Sequence, residues 1–238
     1  MSTDNLTRYS TFAQQLTLMQ LADSFFPSGS YTLSHGLESL VQAGRINSTE
    51  DVETFIRLLL CNKVGSTDLV ALAHTHRYST LSDLESVREI DALLFAQTPI
   101  QKTRSAQRQS GRALLMVASS TWAHSQLEAL SHQTASGQFN CLHPVVFAVV
   151  AQIAGLDEQS ALVAFVHGFV TGLLGAAIRL GAIGHLQAQQ IRLSLSADMA
   201  EVCQDAAKLA LDEMWSCTPT IDLAQMRQAN LSRRLFAS

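Results

Sequence analysis

Lysine is nearly missing from this chain of 238 residues. Lys63, Lys102 and Lys208 are the only three, and none follows a glycine. That excludes the Gly-x-x-x-x-Gly-Lys-Ser/Thr loop whose amides and lysine hold nucleotide phosphates. No Gly-x-Gly-x-x-Gly fingerprint occurs either, so the chain has no visible means of hydrolysing a nucleotide itself. Cysteine is sparse: Cys61, Cys141, Cys203 and Cys217 are scattered with no Cys-x-x-Cys. This usage fits free, mostly buried thiols in a reducing cytoplasm. The first fifteen residues lack the apolar core of a secretory signal.

Charge is also scarce. Asp, Glu, Lys and Arg make up 15% of the residues while apolar types make up 47%. About a quarter charged is usual for a free domain, so partners or a membrane are expected to cover part of the surface. The net charge of −4 and pI near 6.0 give no global basic field for nucleic acid. No acidic residue lies between Asp91 and Glu128, and that gap holds Lys102, Arg104, Arg108 and Arg112. The three arginines recur at i+4 on one helical face without a local acid to pair them. They form a candidate basic stripe for an acidic partner.

The periodicity is helical almost throughout, and no segment alternates with the period of a strand. Ser48 and Asp51 resemble a capping box ahead of Val52, Phe55, Ile56, Leu59 and Leu60, with Gly65 placed as the stop. Further helices are expected from Thr67 to Tyr78, from Thr80 or Ser82 to Thr98-Pro99, and from about Lys102 to Leu130. Others start at His143-Pro144, near Asp157, and at Ser196, the last running to Trp215. The expected fold is an all-α, single-domain helical bundle. Residues 1–17 are assigned to a flexible N-terminal segment, 18–220 to the helical domain and 221–238 to a C-terminal tail for partner docking.

Three chemical readings compete with that picture. The stretch LADSFFPSGSYTLSHGLES, residues 21–39, carries Asp23, Ser28, Ser30 and His35, the residue types of a hydrolase triad. Yet no Gly-x-Ser-x-Gly elbow is present, and Pro27 and Gly29 suit an ordinary turn, with Ser30 or Thr32 capping the helix that carries Leu33, Leu37 and Leu40. His74-x-His76 is the tightest histidine pair, but residues two apart diverge by about 200° on a helix and do not readily share a metal. The run from Ala161 to Ile178 has no full charge and reaches the lower length limit of a membrane span. Gly168, Gly172 and Ala176 give it a small-residue stripe that would let helices approach closely. His167 inside it, Arg179 at its end and the lack of flanking Trp or Tyr favour a buried bundle helix. A helical Ser/His hydrolase and an integral membrane helical protein are the alternatives to an interaction protein.

Six segments in register resemble the UreF family of urease accessory proteins. They are QLADSFFPSGSYTLSHGLES, residues 68–76, SGRALL (residues 110–115), HPVVF (143–147), GAAIRLGAIGHLQAQ (175–189) and the tail PTIDLAQMR…RLFAS. The resemblance covers the chain from about Leu18 onward. It implies an all-α, non-enzymatic, cytoplasmic protein of urease maturation that forms a homodimer and binds no nucleic acid or membrane. It further implies two partners, the D/H-type urease accessory protein and the urease-maturation GTPase, in a complex that delivers nickel to apo-urease. No metal is held permanently; nickel would only pass through the complex.

By the same resemblance, Arg233, Arg234, Leu235 and Phe236 are candidates for contact with the D/H-type partner. Gly29, Ser30, Tyr31, His35 and Glu38 are candidates for a dimer or GTPase surface. Family tails carry His-Glu after the Met-Arg, where this chain has Gln228 and Ala229. The family's acid and serine near Arg104 are replaced by Ser105 and Gln107.

Overall fold

The structure, a computed structural model, describes residues 3–23, 26, 33–228 and 235–236, with side chains described from Phe12 onward. It is all-α, and no strand occurs among the described residues. The helices are α1 (Thr3–Ala22), α2 (Leu37–Gln42), α3 (Thr49–Leu59), α4 (Leu69–Thr80), α5 (Leu84–Gln97), α6 (Gln101–Thr121), α7 (Ser125–Ala135), α8 (His143–Ile153), α9 (Glu158–Arg179), α10 (His185–Ser194), α11 (Ser196–Ala206) and α12 (Pro219–Gln228). A helix therefore begins at Thr3, within the stretch expected to be a flexible leader. Leu18, Leu21 and Ala22 turn inward at i, i+3 and i+4 and α1 packs on α9.

Two helices have stretches that are apolar around the whole circumference, which only a central position satisfies. Residues 69–73 of α4 and 144–151 of α8 are all buried. α8 lies against α4, α5, α6, α7 and α9. The stretch 145–150, whose composition also suited a buried strand, is therefore the middle of α8. The apolar run read as a possible span is α9, long and apolar enough to cross a membrane. Here it buries Leu162, Phe165, Val166, Val170, Leu173 and Leu174, and packs on α1, α4, α8, α10 and α11.

Gly65 does not stop α3. The helix continues through a π-helical segment, Leu60–Asp68, straight into α4. A Cβ at Gly65 would sit 2.9 Å from the Leu60 carbonyl oxygen and 2.9 Å from Val202 Cβ. The glycine is there for close packing on α11, not for a turn. The π segment also strands the C-terminal region in place. Cys217 N–H donates to the Asn62 carbonyl (2.9 Å), Trp215 N–H to that of Ser66 (3.3 Å), and Ser66 Oγ to that of Trp215 (2.6 Å). Lys63 Nζ lies 3.5 Å from Asp222 of α12. π segments lose regular i→i+4 pairing and recur at functional positions.

Two expected helices break earlier than their patterns suggested. The helix expected from Lys102 to Leu130 divides at Trp122–His124 into α6 and α7, and the His124 ring accepts from Gln126 N–H as a new cap. The one expected to reach Trp215 ends at Ala206. The SGRALL and HPVVF segments owe their residues to one crossing. A Cβ on Gly111 would come within 2.0 Å of the Cys141 carbonyl oxygen. Cys141 has φ of 65°, and buried Asp91 accepts from Asn140 N–H (2.6 Å) and Leu142 N–H (2.9 Å) to hold that corner. At the periphery Arg77 makes a two-pronged pair with Glu158 (2.7 and 2.7 Å) and donates to the Ala207 carbonyl.

Candidate functional site

Five of the six segments that carry the family resemblance, all but the tail, contribute to the lining of one cavity of about 700 Å³. Its apolar walls include Leu21, Phe26, Leu33, Phe147, Phe165, Phe169 and Ile178, and its polar lining includes His35, Asp68, Gln107, His143 and Thr171. Each polar residue comes from a different element: the approach to α2, the π segment, α6, α8 and α9. Gly168 and Gly172 also line the cavity, and among the described residues a Cβ on either would meet nothing within 4 Å. The small-residue stripe thus opens space instead of drawing two helices together, contrary to the expectation from spacing.

Three buried atoms on this lining have no hydrogen-bond partner among the described residues: Gln107 Oε1, His143 Nε2 and Thr171 Oγ1. Buried polar groups left this way call for water or a polar guest. The Gln107 amide nitrogen donates to Asp68 Oδ1 at 3.3 Å. Burial pushes the Asp68 carboxyl up to about 6, with Lys63 and the Gln107 bond opposing the rise. Burial holds the His143 imidazole down at about 4. It also holds His35 at about 3, with the Lys63 charge acting in the same direction. Both rings are neutral at physiological pH. His143 lies 5.5 Å from the Phe165 ring, and His35 meets Phe169 edge-on at 5.1 Å.

His35 has φ of 51° and is half-buried, its ring set into this cavity. Ser34 beside it is fully buried. Ser28, Ser30, Gly29 and Tyr31 lie outside the described residues. α2 starts at Leu37 behind Gly36, whose φ of 90° and close approach to Gln225 exclude a side chain. Leu33 therefore lies before the helix it was expected to join. His74 and His76, as their spacing suggested, go separate ways: His74 Nε2 meets the Leu209 carbonyl and His76 Nε2 that of Leu156, each at 2.9 Å.

Glu38, expected on a surface, is fully buried. Its carboxylate accepts the Leu235 N–H at 2.6 Å and the Phe236 N–H at 3.3 Å. Phe236, expected in a docking tail, is itself buried at 5% exposure, under the Arg179 guanidinium 4.4 Å from its ring centroid. Phe236 sits against the body because a phenylalanine ring gains more from burial than from water. Leu235 beside it is 72% exposed. Arg233 and Arg234 lie outside the described residues.

The basic stripe runs along α6. Arg104 and Arg108 lie over the Phe95 ring at 4.9 and 6.0 Å, Arg108 Nε donates to the Asn140 carbonyl (3.1 Å), and Arg112 is exposed. Lys102 is two positions from Arg104 and so points to another side of the helix. Sequence reasoning passed over Asp68, Gln107, His143 and Thr171 as functional residues. The available signal was polar types inside otherwise apolar helical faces, which acquires meaning only when the faces are brought together.

These features define an all-helical protein in which buried Glu38 holds residues 235 and 236, and in which five elements each contribute a polar side chain to a largely apolar cavity. The family model described as UreF matches residues 46–196. The chain is 55% identical over 229 residues to the urease accessory protein UreF of Trichodesmium erythraeum, covering 96% of this chain and 99% of that relative. It is 31% identical to the UreF of Xanthobacter autotrophicus over 90% of this chain and 86% of that one. For the UreF of Bradyrhizobium diazoefficiens the identity is 29%, over 93% and 90%. This chain belongs to the UreF family of urease accessory proteins.

Proposed function

We propose that this chain is a non-enzymatic, cytoplasmic subunit of urease maturation. It bridges a D/H-type accessory protein and the maturation GTPase, so that nickel enters apo-urease in a step driven by GTP hydrolysis. The observation that carries the reading is the 55% identity to a urease accessory protein along nearly the whole of both chains. Two features of the sequence agree with it. Without a phosphate-binding loop, a role in a GTP-dependent step requires a separate GTPase. The low charged fraction suits a surface covered by partners, including a second copy of the chain in a homodimer. Nickel is cargo here and would pass through the complex without a resident site.

In this reading Leu235, Arg233 and Arg234 face the D/H-type partner, while Phe236 anchors the tail to the body. The test is urease activity in cells with and without this chain. Activity that depends on the chain and is restored by added nickel or by re-expression supports the proposal; equal activity refutes it. Co-purification tests the bridge. Leu235→Asp, at an exposed position, is expected to weaken recovery of the D/H-type partner while leaving the melting temperature unchanged. Full recovery with this variant removes the tail from the interface.

A further inference from the structure

We propose that the Arg104–Arg108–Arg112 row on α6 docks an acidic helix of a partner protein, one that carries carboxylates a helical turn apart. The inference does not depend on the urease reading. The three arginines span eight positions, a length of about 12 Å on an α-helix, with a guanidinium about every 6 Å. The row runs obliquely, from the edge of α6 beside Phe95 to the middle of its outward face at Arg112, where exposed Met116 extends it. Among the described residues none of the three arginines takes part in an ion pair.

Arg104 and Arg108 are nonetheless held in position. Their guanidinium groups lie over one phenylalanine ring, and Arg108 is tied to the Asn140 carbonyl. Stacking of this kind orders a charged group without neutralising it. Asp91 at the start of the acid-free gap does not neutralise the row either, since it is fully buried and spends both oxygens on the Asn140 and Leu142 amides. The gap in acidic residues from Asp91 to Glu128 means that α6 brings no carboxylate of its own.

Charge complementarity selects the occupant. A guanidinium fork pairs best with a carboxylate in two-pronged geometry. Glu or Asp at i, i+4 and i+8 of a facing helix repeats the same rise of about 6 Å. A nucleic acid fits poorly: the net charge of the chain is −4, which repels a long polyanion. Phe95, the aromatic at the row, already has two guanidinium groups stacked on its ring.

The experiment uses the full chain and a lactam-locked helical peptide with Glu at i, i+4 and i+8. Two controls accompany it: a locked peptide of the same composition with Glu at irregular spacing, and a single-stranded 12-mer DNA. Binding is read by fluorescence anisotropy at low and moderate salt. The in-register peptide is expected to bind at least tenfold more tightly than either control, with affinity falling as salt rises. R104Q/R112Q is expected to lose at least tenfold. Arg112→Gln alone, at a side chain with no hydrogen bond or ion pair among the described residues, is expected to lose about threefold with an unchanged melting curve. Equal binding of the irregular peptide, tighter binding of DNA, or unchanged binding by Arg112→Gln and the double variant each overturns the proposal.

Discussion

Glu38 and Phe236 are 198 positions apart, and the Glu38 carboxylate accepts the Phe236 backbone N–H from within the core. The same carboxylate accepts the N–H of Leu235. A buried carboxylate with two amide donors is a latch: it ties residues 235 and 236 to α2 and keeps the Phe236 ring under Arg179. Glu38→Ala is expected to free residues 235 and 236 and to cost about 1–3 kcal/mol, the usual effect of leaving buried donors unpaired. Hydrogen exchange at those two amides checks it. Protection that survives the substitution would show that Phe236 packing alone holds the tail.

Phe236→Ala removes a buried aromatic and its contact with Arg179. A loss of about 3 kcal/mol is expected, the lower end for a buried phenylalanine because the site lies next to the chain end and can relax. Urea unfolding gives the value, and a loss below about 1 kcal/mol would mean that the ring is not seated in solution.

Three glycines should respond with different signs to the same substitution. Gly111→Ala places a methyl 2.0 Å from the Cys141 carbonyl oxygen, so severe destabilisation is expected, at or beyond the roughly 1–3 kcal/mol of core overpacking. Gly65→Ala meets backbone and Val202 at 2.9 Å and should cost about 1–3 kcal/mol. Gly168→Ala meets nothing among the described residues and lies inside α9, so helix propensity predicts a gain of about 0.5–1 kcal/mol. Thermal melts of the three variants test the order.

The cavity lining predicts two opposing pH dependences. The folded-state pKa of Asp68 is raised to about 6 from 3.8, so its contribution favours the fold at low pH and is lost as pH rises from about 4 to about 6. Asp68→Asn should therefore raise the melting temperature at pH 8 and do little at pH 4. The folded-state pKa values of His35 and His143 are depressed to about 3 and about 4 from 6.5. Their contribution is present above pH 6.5 and lost as pH falls toward 4. His143→Gln should flatten the acid limb of a stability profile, and an unchanged limb would place its proton elsewhere.

Much of the fold was legible because local patterns decided it. The capping box of Ser48 and Asp51 forms as its spacing indicated, Asp157 caps α9, and Pro144 opens α8. Gly65 misled because a helical glycine and a helix-ending glycine look alike until the neighbouring helix is present. The break at Trp122–His124 was missed because no proline or glycine marks it. Ser30, Tyr31 and the arginines at 233 and 234 lie outside the described residues, so their proposed roles rest on the family resemblance.

The sequence by itself determined that this is an all-α chain of the UreF family without a phosphate-binding loop. Helical periodicity, caps and the register of six segments are local properties, written within a few turns of chain. Only the tertiary structure decided that Glu38 faces inward to hold the tail, that Gly168 and Gly172 open a cavity, and that Asp68, Gln107, His143 and Thr171 share its lining. Those facts depend on contacts between residues far apart in the chain, whose geometry is set by how whole helices pack. No local pattern encodes which side of a helix its neighbour will leave empty.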